Sequence, residues 1–426
     1  MLCAQTVTNR ELKLFAMKMS LRIAVAALFA LYLAACAPQI VKPAAHHSVL
    51  LVSIDGFRPD YLGKGMTPNL DRIAAGGVRA QWMNPSFPSL TFPNHYTIVT
   101  GLRPDHHGIV HNTMSDPVLG RFSLGNRAAV ENASWWGGEP IWIAVQKAGY
   151  PTAAMFWPGS EAPIMGTHPT RWNTFDAKVT YETRVNTVVG WLKEPLNTRP
   201  RFATLYFDDV DHEAHSFGPF SQQAKDAVVA ADKAIGDLFA QLQRDGSLAY
   251  TNVIIVSDHG MAEVKATSKV NVADMVPSEW VDVVAAGQTV SFSPKPGFEK
   301  QVAARLIGKH ERYECWDKVS IPARFHYGSN ARVPQIVCLM QVGWDALNPS
   351  TYEKSITQTQ TRGSHGFDPN AADMRAMFIA TGPDIAQGKV ISPFDNVDVY
   401  PLMIKLLGVP GAANDGDFAP VRGVLR

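Results

Sequence analysis

The sequence predicts an α/β fold: a central, mostly parallel sheet flanked by helices, with a smaller α+β segment inserted. Three observations carry that expectation. First, three runs of strand length are apolar at consecutive rather than alternating positions: S-V-L-L-V-S-I (48–54), F-A-T-L-Y-F (202–207) and N-V-I-I-V (252–256). A strand apolar on both faces belongs in a parallel sheet covered by helices. Second, amphipathic segments lie between the runs: P-I-W-I-A-V-Q-K-A-G-Y from Pro140, V-N-T-V-V-G-W-L-K from Val185, and a long one from Ser221. Strands alternating with helices call for right-handed crossovers. Third, the segment at about 267–362 breaks this rhythm with mixed polar strands and turns, and reads as the insertion. A-M-F-I-A-T-G-P from Ala376 and D-V-Y-P-L-M-I-K-L-L-G from Asp398 add a further strand and helix.

The composition fits a folded chain with ample core: 426 residues, 46% hydrophobic and 18% charged. A formal charge of +1 argues against a nucleic-acid-binding surface of the strongly basic kind. It leaves room for a small nucleotide held at a local positive centre such as a metal. At the N-terminus Lys18 and Arg22 precede I-A-V-A-A-L-F-A-L-Y-L-A-A (23–35), a run too short to span a bilayer comfortably. L-A-A-C (33–36) resembles the lipobox of bacterial lipoproteins, in which the cysteine becomes the lipidated first residue. A plain signal peptide cut near Ala35 is the alternative, and Met17 or Met19 is a better start than Met1. The expected organisation is a signal peptide at 1–35, a tether at 36–47 and a catalytic domain at 48–426. The protein is expected to be periplasmic, held to the membrane only through a lipid on Cys36. Of the remaining cysteines, Cys315 and Cys338 are expected to pair in an oxidising compartment, with two free buried thiols as the alternative. Nothing in the sequence sets the oligomeric state.

Each long apolar run ends in residues able to ligate a metal: Asp55 after the first, Asp211 and His215 after the second, Asp258 and His259 after the third. A lone aspartate after a strand is usually a turn or cap residue. Three at the carboxyl rim of one sheet, two with histidine partners, point instead to a site, because ligands of parallel α/β sheets bind there. R-G-S-H-G-F-D (362–368) offers His365 in a glycine-flanked loop. Aspartate and histidine without cysteine suit catalytic Zn²⁺, with Mn²⁺ or Fe²⁺ as substitutes. Three of each are enough for two ions about 4 Å apart, the arrangement that supports in-line phosphoryl displacement. S-F-P-S-L-T-F-P-N-H-Y (86–96) then offers three hydroxyls, at Ser86, Ser89 and Thr91. The stretch reads as helical from about Pro93, so Thr91 stands at a helix N-terminus, where dipole and free N–H groups favour a phosphate. The alternative is that Thr91 only N-caps that helix.

At these residues the chain resembles the nucleotide pyrophosphatase/phosphodiesterase family of the alkaline phosphatase superfamily. The matching stretches run in order: V-S-I-D-G-F-R (52–58), T-P-N-L (67–70), P-S-F-P-S-L-T-F-P-N-H-Y-T-I-V-T-G-L-R-P-D-H-H-G-I-V-H-N (85–112), M-F-W-P-G-S-E (155–161), S-F-G-P (216–219), V-S-D-H-G-M (256–261), P-A-R-F-H-Y (322–327) and G-S-H-G-F-D (363–368). The resemblance implies an alkaline phosphatase-like fold and two Zn²⁺ per chain. Thr91 would be the nucleophile, with Asp55, Asp258 and His259 holding one ion beside it and Asp211, His215 and His365 holding the other. Asn112 would donate to a phosphate oxygen, Phe92 would pack on the base or other leaving-side group, and Tyr206 and Phe175 would line the pocket. Many relatives are expected to carry tyrosine at the position of Phe175, so a polar handle is missing here. The implied activity is hydrolysis of nucleotide phosphodiester or phosphoanhydride bonds to nucleoside 5′-monophosphates. Rival readings are a phosphonoacetate hydrolase-like or lipid/choline phosphodiesterase activity, and more remotely a zinc-holding lipoprotein without turnover.

Overall fold

The computed structural model describes residues 47–426; the expected signal peptide, the expected lipidation site at Cys36 and most of the tether lie outside the described residues. The central sheet has eight strands: β1 (Ser48–Ile54), β2 (Val78–Ala80), β3 (Thr152–Met155), β4 (Arg171–Trp172), β5 (Phe202–Phe207), β6 (Thr251–Val256), β7 (Phe378–Thr381) and β8 (Lys389–Ile391). Across the sheet they run β8-β2-β7-β6-β1-β5-β3-β4. β1 lies between β5 and β6 and is parallel to both. β7 runs antiparallel to its neighbours β6 and β2. The sequence does not announce that reversal. It follows from the path of the chain, which enters β7 from the loop around His365 at the carboxyl rim of β1 and β6 and must run back down.

The consecutive apolar positions have a direct explanation in the two faces. Val49 and Leu51 of β1 pack in one buried cluster, and Leu50, Val52 and Ile54 in the other. β6 does the same, with Ile254 and Val256 on the first face and Val253 and Ile255 on the second. Each such side chain, fully buried, contributes about 2 kcal/mol of transfer free energy. The first face is covered by α1 (Thr91–Thr100) and the helices Ile141–Lys147 and Val399–Leu407. The other face is covered by Pro68–Gly76, Tyr181–Leu192 and Gln222–Arg244. The last of these buries Val228, Ala231, Ile235, Leu238 and Leu242 at helical spacing, and Ser221 caps it by accepting the amide of Ala224.

Between β6 and β7 the chain builds a second, antiparallel sheet. Its strands lie in the order Val281–Ala285, Thr289–Pro294, Ile336–Met340, Tyr313–Asp317 and Gly308–Lys309. Val302 and Leu306 of helix Glu299–Leu306 close its own apolar cluster with Val290, Phe292, Ile336 and Met340. Cys315 and Cys338 sit opposite each other on adjacent strands and are joined as a disulfide, not left as free thiols. Among the described residues no helix is long and apolar enough to cross a membrane.

Candidate active site

The carboxyl ends of the three central strands bring the acidic residues together. Asp55 follows β1 directly, and Asp258 and His259 follow β6 by two and three residues. After β5 the chain turns into α2 (Asp209–Phe217), which sets Asp211 and His215 one turn apart on one face. His365 follows the strand Arg362–Ser364, which pairs with Ala262–Val264 just beyond β6. The histidine Nε2 atoms all face carboxylates. His259 Nε2 lies 2.9 Å from Asp258 and 3.6 Å from Asp55; those of His215 and His365 each lie 3.5 Å from Asp211. Gly56 permits this crowding. Its φ is +65°, and a Cβ there would stand 3.0 Å from Asp211 Oδ1, so only glycine suits the position.

The tautomers follow from the other ring nitrogen. His215 Nδ1 lies 3.0 Å from the carbonyl of Gly363, His259 Nδ1 2.9 Å from that of Gly260, and His365 Nδ1 2.9 Å from that of Ser89. A carbonyl only accepts, so each Nδ1 carries the hydrogen and each Nε2 presents a lone pair to the acidic cluster. In the same place the buried Asp55 Oδ1, Asp211 Oδ1 and Asp258 Oδ2 accept no hydrogen bond. Burial, with the charges of Asp258 and Asp211, pushes the Asp55 carboxyl well above its usual range. Burial, with His259 and His215 alongside, pushes His365 well down. Unpartnered carboxylate oxygens facing imidazole lone pairs are costly alone and favourable around a cation. Three groups of ligand atoms, each within 4.8 Å, could hold a metal: Asp211, His215 and His365; Asp55, Asp211 and His259; Asp55, His95 and Asp258. The donor set, oxygen and imidazole nitrogen without sulfur, fits a divalent ion such as zinc.

Thr91 opens α1, and its hydroxyl lies 3.3 Å from His259 Nε2. The helix starts two residues earlier than the sequence pattern suggests, because Asn94 donates to the carbonyl of Leu90 across the first turn. Pro93 in that turn costs nothing, its missing N–H having no intrahelical partner anyway. Leu90, not Thr91, occupies the N-cap, and the Thr91 side chain does no capping. The neighbouring serines are engaged elsewhere: Ser86 Oγ donates to Asn396 and Ser89 Oγ to the carbonyl of Phe367. One turn into α1, His95 contacts the Thr91 carbonyl through Nδ1 at 2.9 Å and Ser53 Oγ through Nε2 at 2.8 Å. Its Nδ1 is also 3.2 Å from Asp258, so His95 sits against the acidic cluster.

A cavity of 220 Å³ opens over Asp55, Thr91 and Asp211. Phe92 edges it, packed on Phe122 and Trp136. Opposite stand Tyr206 and the 38% exposed Phe175, which packs edge-on against Phe156 and Tyr206. The Tyr206 hydroxyl is spent on Asp55 Oδ2 at 2.7 Å, so it orients that carboxylate and offers the cavity only its ring. Asn112 Oδ1 accepts the amide of Phe92 at 2.9 Å, which brings Asn112 beside the start of α1.

The sequence of the type I phosphodiesterase / nucleotide pyrophosphatase family matches this chain over residues 49–368. The chain belongs to that family. Ectonucleotide pyrophosphatase/phosphodiesterase family member 3 of Bos taurus is 32% identical over 391 residues, covering 89% of this chain and 44% of the relative. A venom phosphodiesterase of Naja atra is 32% identical over 394 residues, covering 89% of this chain and 46% of the relative. The chain thus spans less than half the length of both. Murine ectonucleotide pyrophosphatase/phosphodiesterase 5, solved as an inactive threonine-to-alanine variant in complex with AMP, superposes with a TM-score of 0.83 at 31% identity. That match covers 89% of this chain and all of the murine one.

Within this family member some contacts at the site carry no sequence signature. Arg127 and Glu161 line the cavity and pair with each other, and Arg127 also reaches Glu131. Glu161 ends the matched stretch M-F-W-P-G-S-E, but Arg127, 34 residues earlier at the start of the short helix Arg127–Val130, lies in no matched stretch, and no spacing joins the two. Arg184 is buried behind the aromatic wall, donating to the carbonyl of Tyr206 and to Asp208. Its helix reads as an ordinary amphipathic one.

Proposed function

We propose that the protein is a two-zinc phosphodiesterase/nucleotide pyrophosphatase that cleaves nucleotide phosphodiester or phosphoanhydride bonds and releases nucleoside 5′-monophosphates. The observation that carries this reading is the convergence of three unpartnered carboxylate oxygens and three imidazole lone pairs at one sheet rim, with the Thr91 hydroxyl against one of those imidazoles, His259. Asp55, Asp258 and His259 would hold one ion and Asp211, His215 and His365 the other. Zinc bound there supplies Lewis-acid charge beside the phosphoryl oxygens and eases deprotonation of a hydroxyl or water. Thr91 Oγ1 attacks phosphorus in line, loses its proton to solvent and displaces the leaving oxygen, giving a phosphothreonine ester. Water then attacks the same phosphorus, the bond to Oγ1 breaks, and the hydroxyl is restored. Asn112 meets a non-bridging oxygen, while Phe92 and Phe175 offer the faces on which a nucleobase can lie. A diester is favoured over a doubly charged monoester because Arg127 at the cavity is already paired with Glu161. AMP in the inactive murine neighbour supports a nucleoside monophosphate as product.

The test compares p-nitrophenyl thymidine-5′-monophosphate with p-nitrophenyl phosphate, for wild type and Thr91→Ala. Preference for the diester, lost in Thr91→Ala, is expected. Equal or greater monoesterase activity sinks the diesterase reading, and undiminished turnover in Thr91→Ala sinks the nucleophile. We also infer export and lipid anchoring at Cys36, for which incorporation of labelled palmitate in wild type but not Cys36→Ala is the check.

A further inference from the structure

The second sheet touches the site through one strand end. Thr289 is buried where the strand Thr289–Pro294 begins, and it bonds in two directions. Its Oγ1 donates to the carbonyl of Gly366 at 2.8 Å, one residue past His365. Its own carbonyl lies 3.2 Å from His111 Nε2, one residue before Asn112. The other His111 nitrogen accepts the amide of Thr113 at 3.0 Å, so Nε2 carries the hydrogen and donates to Thr289. Burial keeps that imidazole neutral by lowering its pKa to about 4. Next door, Gln288 Nε2 donates to Ser364 Oγ, one residue before His365, and to the buried Asp345. On its far side the His365 loop is tied to the segment ahead of Thr91, by His365 Nδ1 to the carbonyl of Ser89 and by Ser89 Oγ to that of Phe367.

We propose that Thr289, with Gln288 beside it, is a positioning residue that fixes His365 relative to Asn112 and so couples the second sheet to the chemistry. The inference rests on the two-zinc reading above. His365 hangs between two clamps. One is made by Ser89, on the chain that carries Thr91; the other is made by residues 288 and 289. The Thr289 clamp also holds His111, so one side chain and its backbone set the spacing between a metal ligand and the phosphate donor. Gly366, at φ +105°, is wedged between these clamps, since a Cβ there would stand 2.8 Å from Leu90 and 3.3 Å from Gln288. The loop therefore has little room to re-form the geometry once the Thr289 hydroxyl is gone. Partners beyond the metal ligands typically set affinity within a factor of about 10–100.

The experiment titrates Zn²⁺ into chelator-stripped wild type, Thr289→Val, Thr289→Ser and Gln288→Met by calorimetry, and records kcat and KM for the diester and the thermal midpoint of each metal-free form. Thr289→Val keeps the shape and removes the hydroxyl. One of its two zinc sites is expected to weaken about 10–100-fold, with the other unchanged. Its kcat should fall more than KM changes, and its metal-free midpoint should match wild type. Thr289→Ser should restore both zinc affinity and kcat, and Gln288→Met should weaken the same site. Wild-type zinc affinity in Thr289→Val, or equal losses in the valine and serine variants, overturns the proposal. If Thr289→Val does not fold, wild-type zinc binding in Gln288→Met overturns it instead. Wild type that binds no zinc at all signals failure of the two-zinc reading itself.

Discussion

The amide of Phe92 donates to Asn112 Oδ1 across 2.9 Å, and that one bond fixes which end of the Asn112 side chain is left over. A backbone N–H can only donate, so the oxygen must face it. The amide nitrogen then makes no hydrogen bond within the described residues and is left to donate beside Thr91. Asn112→Asp keeps the acceptor for Phe92 but replaces the donor with a charged oxygen. A fall in kcat of about 10²–10³ is expected, the scale of a lost oxyanion donor, with little change in thermal midpoint. A variant with wild-type kcat removes Asn112 from the chemistry.

Gly56 makes a prediction about metal and stability together. Gly56→Ala places a Cβ against Asp211 and holds a side chain at φ +65°. The strain alone costs on the order of 1–3 kcal/mol, read as a lower urea midpoint of the metal-free protein. Zinc affinity at the site containing Asp211 should drop as well, because that carboxylate must move. Unaltered zinc titration would show that Asp211 tolerates the shift. In the wild type, free zinc at a thousandfold above its Kd should add about 4 kcal/mol per site, removable with chelator.

What could be read from the sequence follows from what each signal depends on. Asp55, Asp211 and Asp258 are legible because each ends a strand whose apolar run names both faces, and strand direction then forces the three to one rim. His365 is legible by its flanking glycines and the matched motif. The Thr289 clamp is not, because one of its bonds ends on the carbonyl of Gly366 and the other on the carbonyl of Thr289 itself, groups that any residue supplies. The Arg127–Glu161 pair is not, because a four-residue helix and the loop after β3 share no period that could join them. The direction of β7 is hidden for a related reason: a strand of four residues, Phe378–Thr381, reads the same in either direction, and only the position of the His365 loop decides.

His107 predicts a pH dependence away from the proposed metal ligands. It is fully buried, with Nε2 3.0 Å from Thr97 Oγ1 and 3.2 Å from the carbonyl of Pro93, and Nδ1 accepting the amide of Ile109. Burial lowers its pKa to about 3, with Asp415 and His106 the charged neighbours that bear on it. Unfolded, it titrates near 6.5, so on acidification the unfolded chain takes up the proton first. Its contribution to stability is therefore complete above about pH 6.5 and is lost as pH falls toward 3. The slope is at most about 1.4 kcal/mol per pH unit. Urea unfolding of the metal-free protein from pH 7 to 4 should show one proton's less slope in His107→Gln. Parallel curves for the two proteins would contradict the buried neutral form.

The disulfide supports the sheet that carries Thr289. Cys338 pairs across the ladder with Val290, the residue after Thr289, and with Cys315 on the other side. Closing a loop of sequence separation 23 stabilises by roughly 3 kcal/mol in the chain-entropy model. Replacing both cysteines by serine should lower the urea midpoint by a matching amount, while turnover at 25 °C persists as long as the sheet stays folded. Because the strand end at Thr289 holds both His365 and His111, activity should then be lost on warming before the central sheet melts. Activity and near-ultraviolet dichroism followed together through a thermal ramp would separate the two events. Coincident loss in the serine variant, at the wild-type midpoint, would mean that the second sheet draws its stability from packing alone.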